Sequence, residues 1–472
     1  MGRLLNIARG AYARSPNGLR RALAPVVALL PNRLKYGSAY RAVREEIVAS
    51  RNDPAMAARE HLARLRALVA KAHAASPYYR GLVEAALGPN PDLSQFTHAD
   101  LARLPVVTKA DLIAAGEAAL AEPAEQLDVA RTSGSNTEQP FVFWLDRDRS
   151  VREIAFVHDV WARVGYGPGE PMAVLRGLRE EQDDWQIEWE PALNELRLKV
   201  IPLTIVEASR YLDEIDRREI RFLYGYPTAI EVFCRHMLRL GRRPRLPLKG
   251  IMTISEPLFP RQRHLFETVL GNVPVVPFYG LSEKAAFAGE LPDEPGTYEF
   301  EPLYGYAELV DPDGRPLDRP GTEGDLVATG FLSTGMPFIR YNTMDRATLV
   351  QAPSAANGFR LRVSDINPRR RPQFLVDKMG ERVIAIELMP DKMEILEGID
   401  EYQLFQDEPG RCLLKFIPSD SGSVADAERL RDHLVEMLEG RMQIDIRQVG
   451  RLLLGQSGKR SYIDQRLDMS HY

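Results

Sequence analysis

At 472 residues the chain is longer than one hydrophobic core usually grows, so two or more domains are expected. An apolar fraction of 44%, with 34 glycines and 34 prolines, describes a soluble globular protein rich in turns. The 61 basic and 66 acidic residues leave a formal net charge of −5, which gives no general electrostatic reason to bind nucleic acid. Two distant cysteines, Cys234 and Cys412, argue against a disulfide scaffold or a Cys-based structural zinc site and fit a reducing cytoplasm.

The first residues are basic around a short apolar stretch, Ala22 to Leu30, too short to span a bilayer. Two readings stand for this arm: a helix packed on the body, or a peripheral contact with a membrane surface through Arg3, Arg9, Arg14, Arg20 and Arg21. Residues 38–90 read as largely helical, with Leu62, Leu65, Leu68 and Val69 at helical spacing. A break follows at Ser76-Pro77-Tyr78-Tyr79-Arg80, read as a loop whose tyrosines pack on the body. In Leu104 to Leu112, Thr108 is placed to cap a helix beginning at Lys109.

The cluster Thr132-Ser133-Gly134-Ser135-Asn136-Thr137 precedes the apolar run Phe141 to Trp144. Small hydroxyl and glycine residues there can aim backbone N–H groups at a phosphate, and the same composition also makes ordinary turns. Residues 146–165 read as a helix with Ile154, Val157, Val160 and Trp161 on its apolar face, and His158 as a packed side chain. Met172 to Leu175 is a strand, and the acidic stretch Arg179 to Glu190 an exposed loop or lid without metal-ligand spacing. Ile220 to Leu223 is a strand leading through Tyr224-Gly225-Tyr226-Pro227 into a helix.

Lys249 to Leu258 is a strand ending in the polar turn Ser255-Glu256, with a helix from about Pro260. Val273 to Phe278 is the next buried strand, and Tyr279-Gly280-Leu281-Ser282-Glu283 follows it at once. Strand, small-residue turn and carboxylate is the arrangement expected at the carboxyl edge of a parallel sheet. Glu299 to Val310 reads as strand–turn–strand, closed by the hairpin signal Asp311-Pro312-Asp313-Gly314-Arg315. From Gly321 to Arg346 two strands punctuated by glycine and proline deliver Arg340, Asp345 and Arg346, expected close together. After about residue 373 the pattern becomes α+β, with strands at Phe374 to Val376, Val383 to Ile386, Leu413 to Ile417 and Ile444 to Val449 and an amphipathic helix over Ala425 to Leu438. Lys459 follows Gly458 near the end, with no Walker A loop anywhere.

In this order the stretches resemble the adenylate-forming ligases, specifically the phenylacetate–CoA ligase and CapK-like branch, over residues 36 to 464. The matching phrases are Pro77 to Arg80, Leu104 to Leu112, the Ser133 to Thr137 loop, Ser255-Glu256-Pro257-Leu258, Tyr279 to Glu283, Gly335 to Asp345 and Gly458-Lys459. The resemblance implies an α/β fold: a large N-terminal body with β-sheets flanked by helices, and a small mobile α+β C-terminal domain. The expected divisions are 1–90 as a helical arm of the large domain, 91–370 as the adenylation core, and 371–472 as the small domain.

It also implies roles. Ser133, Gly134, Ser135 and Thr137 would hold phosphates; Ser255, Glu256, Tyr279, Gly280 and Ser282 would line the nucleotide site, with Tyr279 against adenine. Asp345 would hold the ribose and Glu283 a Mg²⁺ ion on ATP. Arg340 and Lys459 would stabilise phosphate charge, and the Tyr224 to Pro227 corner would wall the acyl pocket. The implied reaction is ATP-dependent activation of a carboxylic acid to an acyl-adenylate, then transfer to a thiol such as CoA. Two alternatives remain: amide or ester synthesis on an amine or other acceptor without CoA, and a non-catalytic nucleotide-binding scaffold in polysaccharide biosynthesis. Oligomerisation is left open. The chain departs from the pattern at Asn136 and Glu138, where a second loop glycine is missing, at Ser255, which stands for glycine, and at Arg369 to Gln373, where the hinge aspartate is not evident.

Overall fold

The computed structural model describes residues 32–131, 141–176, 187–200, 203, 205–368, 374–384, 395, 398–418, 422–450, 452 and 463–467. The N-terminal arm through residue 31, the residues Ser133, Gly134, Ser135 and Thr137 expected to hold phosphates, the basic run Arg369 to Gln373 and Lys459 lie outside the described residues, as does 177–186 of the acidic stretch. The described residues up to 368 belong to one compact unit, apart from Phe141, and those from 374 onward to a second.

The first unit opens with helices α1 (Asn32–Asn52), α2 (Pro54–Ala75) and α3 (Pro77–Leu87). Ser76 starts α3 rather than a loop: its side chain accepts the Tyr79 N–H, and Pro77 occupies the first turn, where no N–H is needed. The tyrosine-loop expectation is thereby corrected, although Tyr79 does pack inside, at 1% exposure. Thr108 caps α4 (Lys109–Ala115) in a reciprocal box with Asp111, as its sequence position implied.

A two-stranded ribbon, β1 (Asp128–Arg131) with β2 (Val142–Leu145), precedes α5 (Arg149–Trp161). Strands β3 (Met172–Leu175), β4 (Ile187–Glu190), β5 (Glu195–Leu198), β6 (Phe222–Gly225), β7 (Gly250–Thr253) and β8 (Val275–Gly280) alternate with α6 (Ile205–Arg217), α7 (Pro227–Leu240) and α8 (Pro260–Leu270). The end of the acidic stretch is therefore the edge strand β4, antiparallel to β5, and not loop. Strands β9 (Phe287–Leu291), β10 (Glu294–Phe300), β11 (Gly305–Val310), β12 (Glu323–Gly330), β13 (Tyr341–Gln351) and β14 (Arg362–Pro368) complete a 12-stranded sheet ordered 11-12-13-14-10-9-8-7-6-3-5-4.

Strands 5, 3, 6, 7 and 8 are parallel neighbours, while everything from β8 through β9 to β11 is antiparallel. Parallel strands must be covered on both faces, and they are. Leu175, Leu223 and Ile251 pack with α6, α7 and α8 residues such as Tyr211, Phe233 and Phe266. Val174, Tyr224 and Met252 face the other way, onto Ile47 of α1 and Phe156 and Trp161 of α5. His158 of α5 is packed as expected, its Nδ1 3.0 Å from Tyr40 Oη.

The second unit carries the hairpin β15 (Phe374–Val376) and β16 (Arg382–Ile384), and strands β17 (Ile399–Glu408), β18 (Arg411–Pro418), β19 (Gln443–Gln448) and β20 (Ile463–Gln465) ordered 19-18-17-20. Helix α9 (Val424–Met437) covers this sheet through Leu430 and Leu434. The fold is thus a large mixed α/β body with a big sheet flanked by helices and a smaller α+β region. No helix among the described residues is long and apolar enough to cross a membrane.

Candidate active site

Four parallel strands, β3, β6, β7 and β8, end side by side and set the floor of the candidate site. The register Thr253↔Pro277 puts the Ser255-Glu256 turn after β7 next to Tyr279 and Gly280 at the end of β8. Ser255 has φ 71°, a left-handed conformation that glycine adopts freely and a residue with a Cβ resists. The turn geometry thus suits glycine at this position. Ser255→Gly is expected to stabilise the first unit by up to about 1 kcal/mol, read as a higher urea midpoint.

The other wall comes from β13. Arg346 pairs with Asp325 and Asn342 with Val327, so Thr343, Met344 and Asp345 stand opposite the single residue Leu326. This bulge carries Met344 at φ 67° and is pinned by Asn342 Oδ1, which accepts the Met344 N–H at 2.8 Å, and by Thr343 Oγ1, which donates to the Leu326 carbonyl at 2.8 Å. Bulges re-aim side chains, and this one turns Asp345 toward β8. Tyr279 Oη donates to the Asp345 carboxylate at 2.6 Å. Strands β8 and β13 are four places apart in the sheet order, about 19 Å in a flat sheet. The antiparallel half must therefore coil back over the carboxyl ends of the parallel half.

A second bridge lies beside the first. Tyr341 Oη donates to Glu283 Oε1 at 2.9 Å, fixing a carboxylate that is 8% exposed. Its other oxygen has no hydrogen-bond partner among the described residues. Burial first, then the Asp345 carboxylate, raise the Tyr279 phenol well above its ordinary pKa, so it remains a neutral donor. Gly280 is exposed, a Cβ there would meet nothing nearer than the Phe287 ring at 3.8 Å, and Ser282 beside it is also exposed. Neither residue is therefore demanded by packing among the described residues.

Arg340 is elsewhere. The residue is 1% exposed, and its Nε donates to Glu308 at 2.9 Å. The remaining nitrogens donate to the Ala102 and Leu104 carbonyls at 3.1 and 2.5 Å and to Gly314 at 2.6 Å. With these bonds made inside the protein, the side chain is a clamp between the 102–107 segment, the 311–315 hairpin and β11. Arg346 also turns away, pairing with Glu323 and Asp325. The expected trio of Arg340, Asp345 and Arg346 thus splits over three sets of partners.

Sequence reasoning missed Tyr341 and Asp146. Asp146 accepts the Thr334 and Gly335 N–H groups at 3.1 and 2.8 Å, holding the glycine–proline turn that enters β13. Gly335 fits closely there: a Cβ would come within 2.3 Å of the Leu127 side chain and 2.9 Å of Asp146 Oδ1, so these side chains would have to shift. No local signal announces a partner 189 residues away. Among the described residues no group of three or more His, Cys, Asp or Glu side chains is placed to hold a metal by itself.

No family model matches the chain. It is 25% identical over 373 residues to a phenylacetate–coenzyme A ligase of Aromatoleum evansii, covering 70% of this chain and 81% of that protein. Crystal structures of a 2-hydroxyisobutyryl-CoA ligase, one with 2-HIB-AMP and CoA in the thioesterification state, superpose with TM-scores of 0.54 and 0.52 at 19% identity. These alignments cover 86% and 87% of this chain and 89% of the ligase. The chain belongs to the adenylate-forming superfamily. An acetyl-coenzyme A synthetase of Xylella fastidiosa adds a local match, 30% identity over 132 residues, which is 25% of this chain and 20% of that enzyme. The adenylate-forming fold accounts for the parallel sheet joined to a coiled antiparallel one, with polar turns gathered where the two meet.

Proposed function

We propose that this protein activates a carboxylic acid with ATP, forming an acyl-adenylate and pyrophosphate, and transfers the acyl group to a thiol such as CoA. The observation that carries the reading is the Tyr279–Asp345 bond at 2.6 Å, set beside the Tyr341–Glu283 bond at 2.9 Å. Together they set two phenols against two carboxylates at this edge of the sheet. Asp345 accepts from the ribose hydroxyls, Tyr279 presents its ring to adenine and fixes the Asp345 carboxylate, and Gly280 and Ser282 leave the approach open. Ser255 and Glu256 line the neighbouring turn, and Ser133, Gly134, Ser135 and Thr137 contribute N–H and hydroxyl donors to the phosphates.

Glu283 fits Mg²⁺ as a single hard carboxylate ligand, the remaining positions being suited to phosphate and water oxygens. Such an ion neutralises phosphate charge when bound. A substrate carboxylate oxygen attacks the α-phosphorus; the bond to the bridging oxygen breaks and pyrophosphate leaves. A thiolate then attacks the acyl carbon, the acyl–phosphate bond breaks, and AMP leaves. Lys459 acts in the first half-reaction. The A. evansii relative, a phenylacetate–coenzyme A ligase by name, supports a thiol acceptor over an amine.

Asp345→Ala is expected to weaken AMP and ATP binding by at least tenfold, the loss of hydrogen bonds to a charged acceptor. Asp311→Ala serves as the control, because Asp311 Oδ1 is occupied by the Asp313 and Arg315 N–H groups of its own hairpin. Titration calorimetry with ATP and Mg²⁺, on variants whose circular dichroism is unchanged, decides it. Equal affinities in the two variants would remove Asp345 from the site.

A further inference from the structure

Arg176 follows β3 at the carboxyl edge of the sheet, three strand positions from β8. In the alternation of β3 it points with Met172 and Val174 toward α5, the face also used by Tyr224 of β6. Its Nη1 donates to Tyr224 Oη at 3.3 Å and its charged group lies 5.2 Å from the centre of that ring. Its Nε is buried without an acceptor, and no ion pair reaches its guanidinium among the described residues. The field of Glu195 reaches it, but that carboxylate is hydrogen-bonded to Arg197 at 3.2 Å. Glu153, the other carboxylate acting on Tyr224, is held by Lys284 at 2.8 Å and Tyr304 at 3.3 Å.

A second orphan lies against the same ring. Trp161 is 3% exposed, its ring centre is 4.7 Å from that of Tyr224, and its Nε1–H has no acceptor among the described residues. Tyr224 is therefore flanked by two buried N–H donors, one on a cation, with no acceptor supplied by the described residues. Buried donors are nearly always satisfied, so a pair left open among the described residues at the ligand-binding edge of an α/β sheet is placed to take an acceptor from a ligand. A carboxylate fits Arg176 best, since it can accept two parallel bonds from the guanidinium.

We infer that the acid activated by this protein carries a second carboxylate, received by Arg176 beside Tyr224. The inference rests on the proposed acid activation. The reacting carboxylate lies toward β8 and β13, and the distal one toward β3, about 14 Å away between strand axes before the arginine's reach is subtracted. The substrate class is a dicarboxylic acid, aliphatic or aromatic, and Arg176 is a specificity-determining residue that takes no part in the chemistry.

The test compares ATP–pyrophosphate exchange for matched pairs: glutarate with pentanoate, adipate with hexanoate, suberate with octanoate, terephthalate with benzoate. Wild type is expected to favour at least one diacid over its monoacid partner. In Arg176→Gln the ratio of the two kcat/KM values should collapse by on the order of 10²-fold, and Arg176→Lys should restore part of it. A ratio does not respond to a general loss of folded protein, so a merely structural arginine would leave it unchanged. Wild-type exchange with monoacids equal to or better than with diacids overturns the inference and leaves acid activation standing. A diacid preference that survives in Arg176→Gln overturns it too. Exchange with neither set, nor with a wide panel of neutral acids, overturns both.

Discussion

Replacing Arg340 with methionine is expected to destabilise the first unit by about 3–5 kcal/mol, the usual consequence of removing one partner from a buried ion pair. Glu308 is 3% exposed, and burial already pushes its carboxyl above the usual range against the opposing pull of Arg340. Without the guanidinium the carboxylate must stay buried and unpaired or take up a proton, and either route lowers stability. The Ala102, Leu104 and Gly314 carbonyls also lose their donors. Arg340→Lys should recover little, because an ammonium cannot reproduce a planar fork that serves a carboxylate and three carbonyls at once. Arg340→Met combined with Glu308→Leu should recover part of the loss, since the uncompensated charge is gone while the three carbonyls remain unserved. Urea unfolding of the three variants checks this. A wild-type midpoint in Arg340→Met, together with lost adenylation, would return Arg340 to the catalytic residues.

That result bears on how the sequence could be read. Features closed within a few residues were legible: the Thr108–Asp111 capping box, the Asp311 to Arg315 turn, and the polar turn directly after β8. Each depends on chemistry local to its own segment. Tyr279 and Asp345 could be named separately, but their meeting depends on the coiling of five strands and on a bulge that no residue pattern announces. The internal bonds of Arg340 were hidden for the same reason, since its partners lie 26 to 238 residues away. A conspicuous arginine beside an aspartate invites a charge-stabilising role, whereas burial turns it into a structural clamp. The α3 start was legible in principle, because Ser76-Pro77 is a cap followed by a proline at the first turn. Strand β17 is interrupted as a pattern by two buried polar residues on its opposite faces, Gln403 and Gln406: Gln406 serves the backbone of β15 and β17 through its side-chain amide.

Lys459→Ala is expected to lower acid-dependent pyrophosphate exchange by on the order of 10²–10³ while leaving ATP affinity within a few-fold of wild type. The motive is positional in sequence: a lysine directly after Gly458, near the end of a chain that carries Glu283 and Asp345 in the superfamily's order. Arg340, the other cation expected at this task, already serves Glu308 and three backbone carbonyls within the first unit. When the substrate oxygen attacks, negative charge on the α-phosphate oxygens grows toward the transition state, and a nearby ammonium is worth most at that moment. Its loss should therefore fall on kcat, with KM for ATP little changed. Transfer from a synthetic acyl-adenylate to CoA begins after that charge has been handled, so it should survive in the variant. Exchange at the wild-type rate in Lys459→Ala would end the assignment. Equal loss of exchange and of transfer from the supplied acyl-adenylate would instead make the lysine a general determinant of the active conformation.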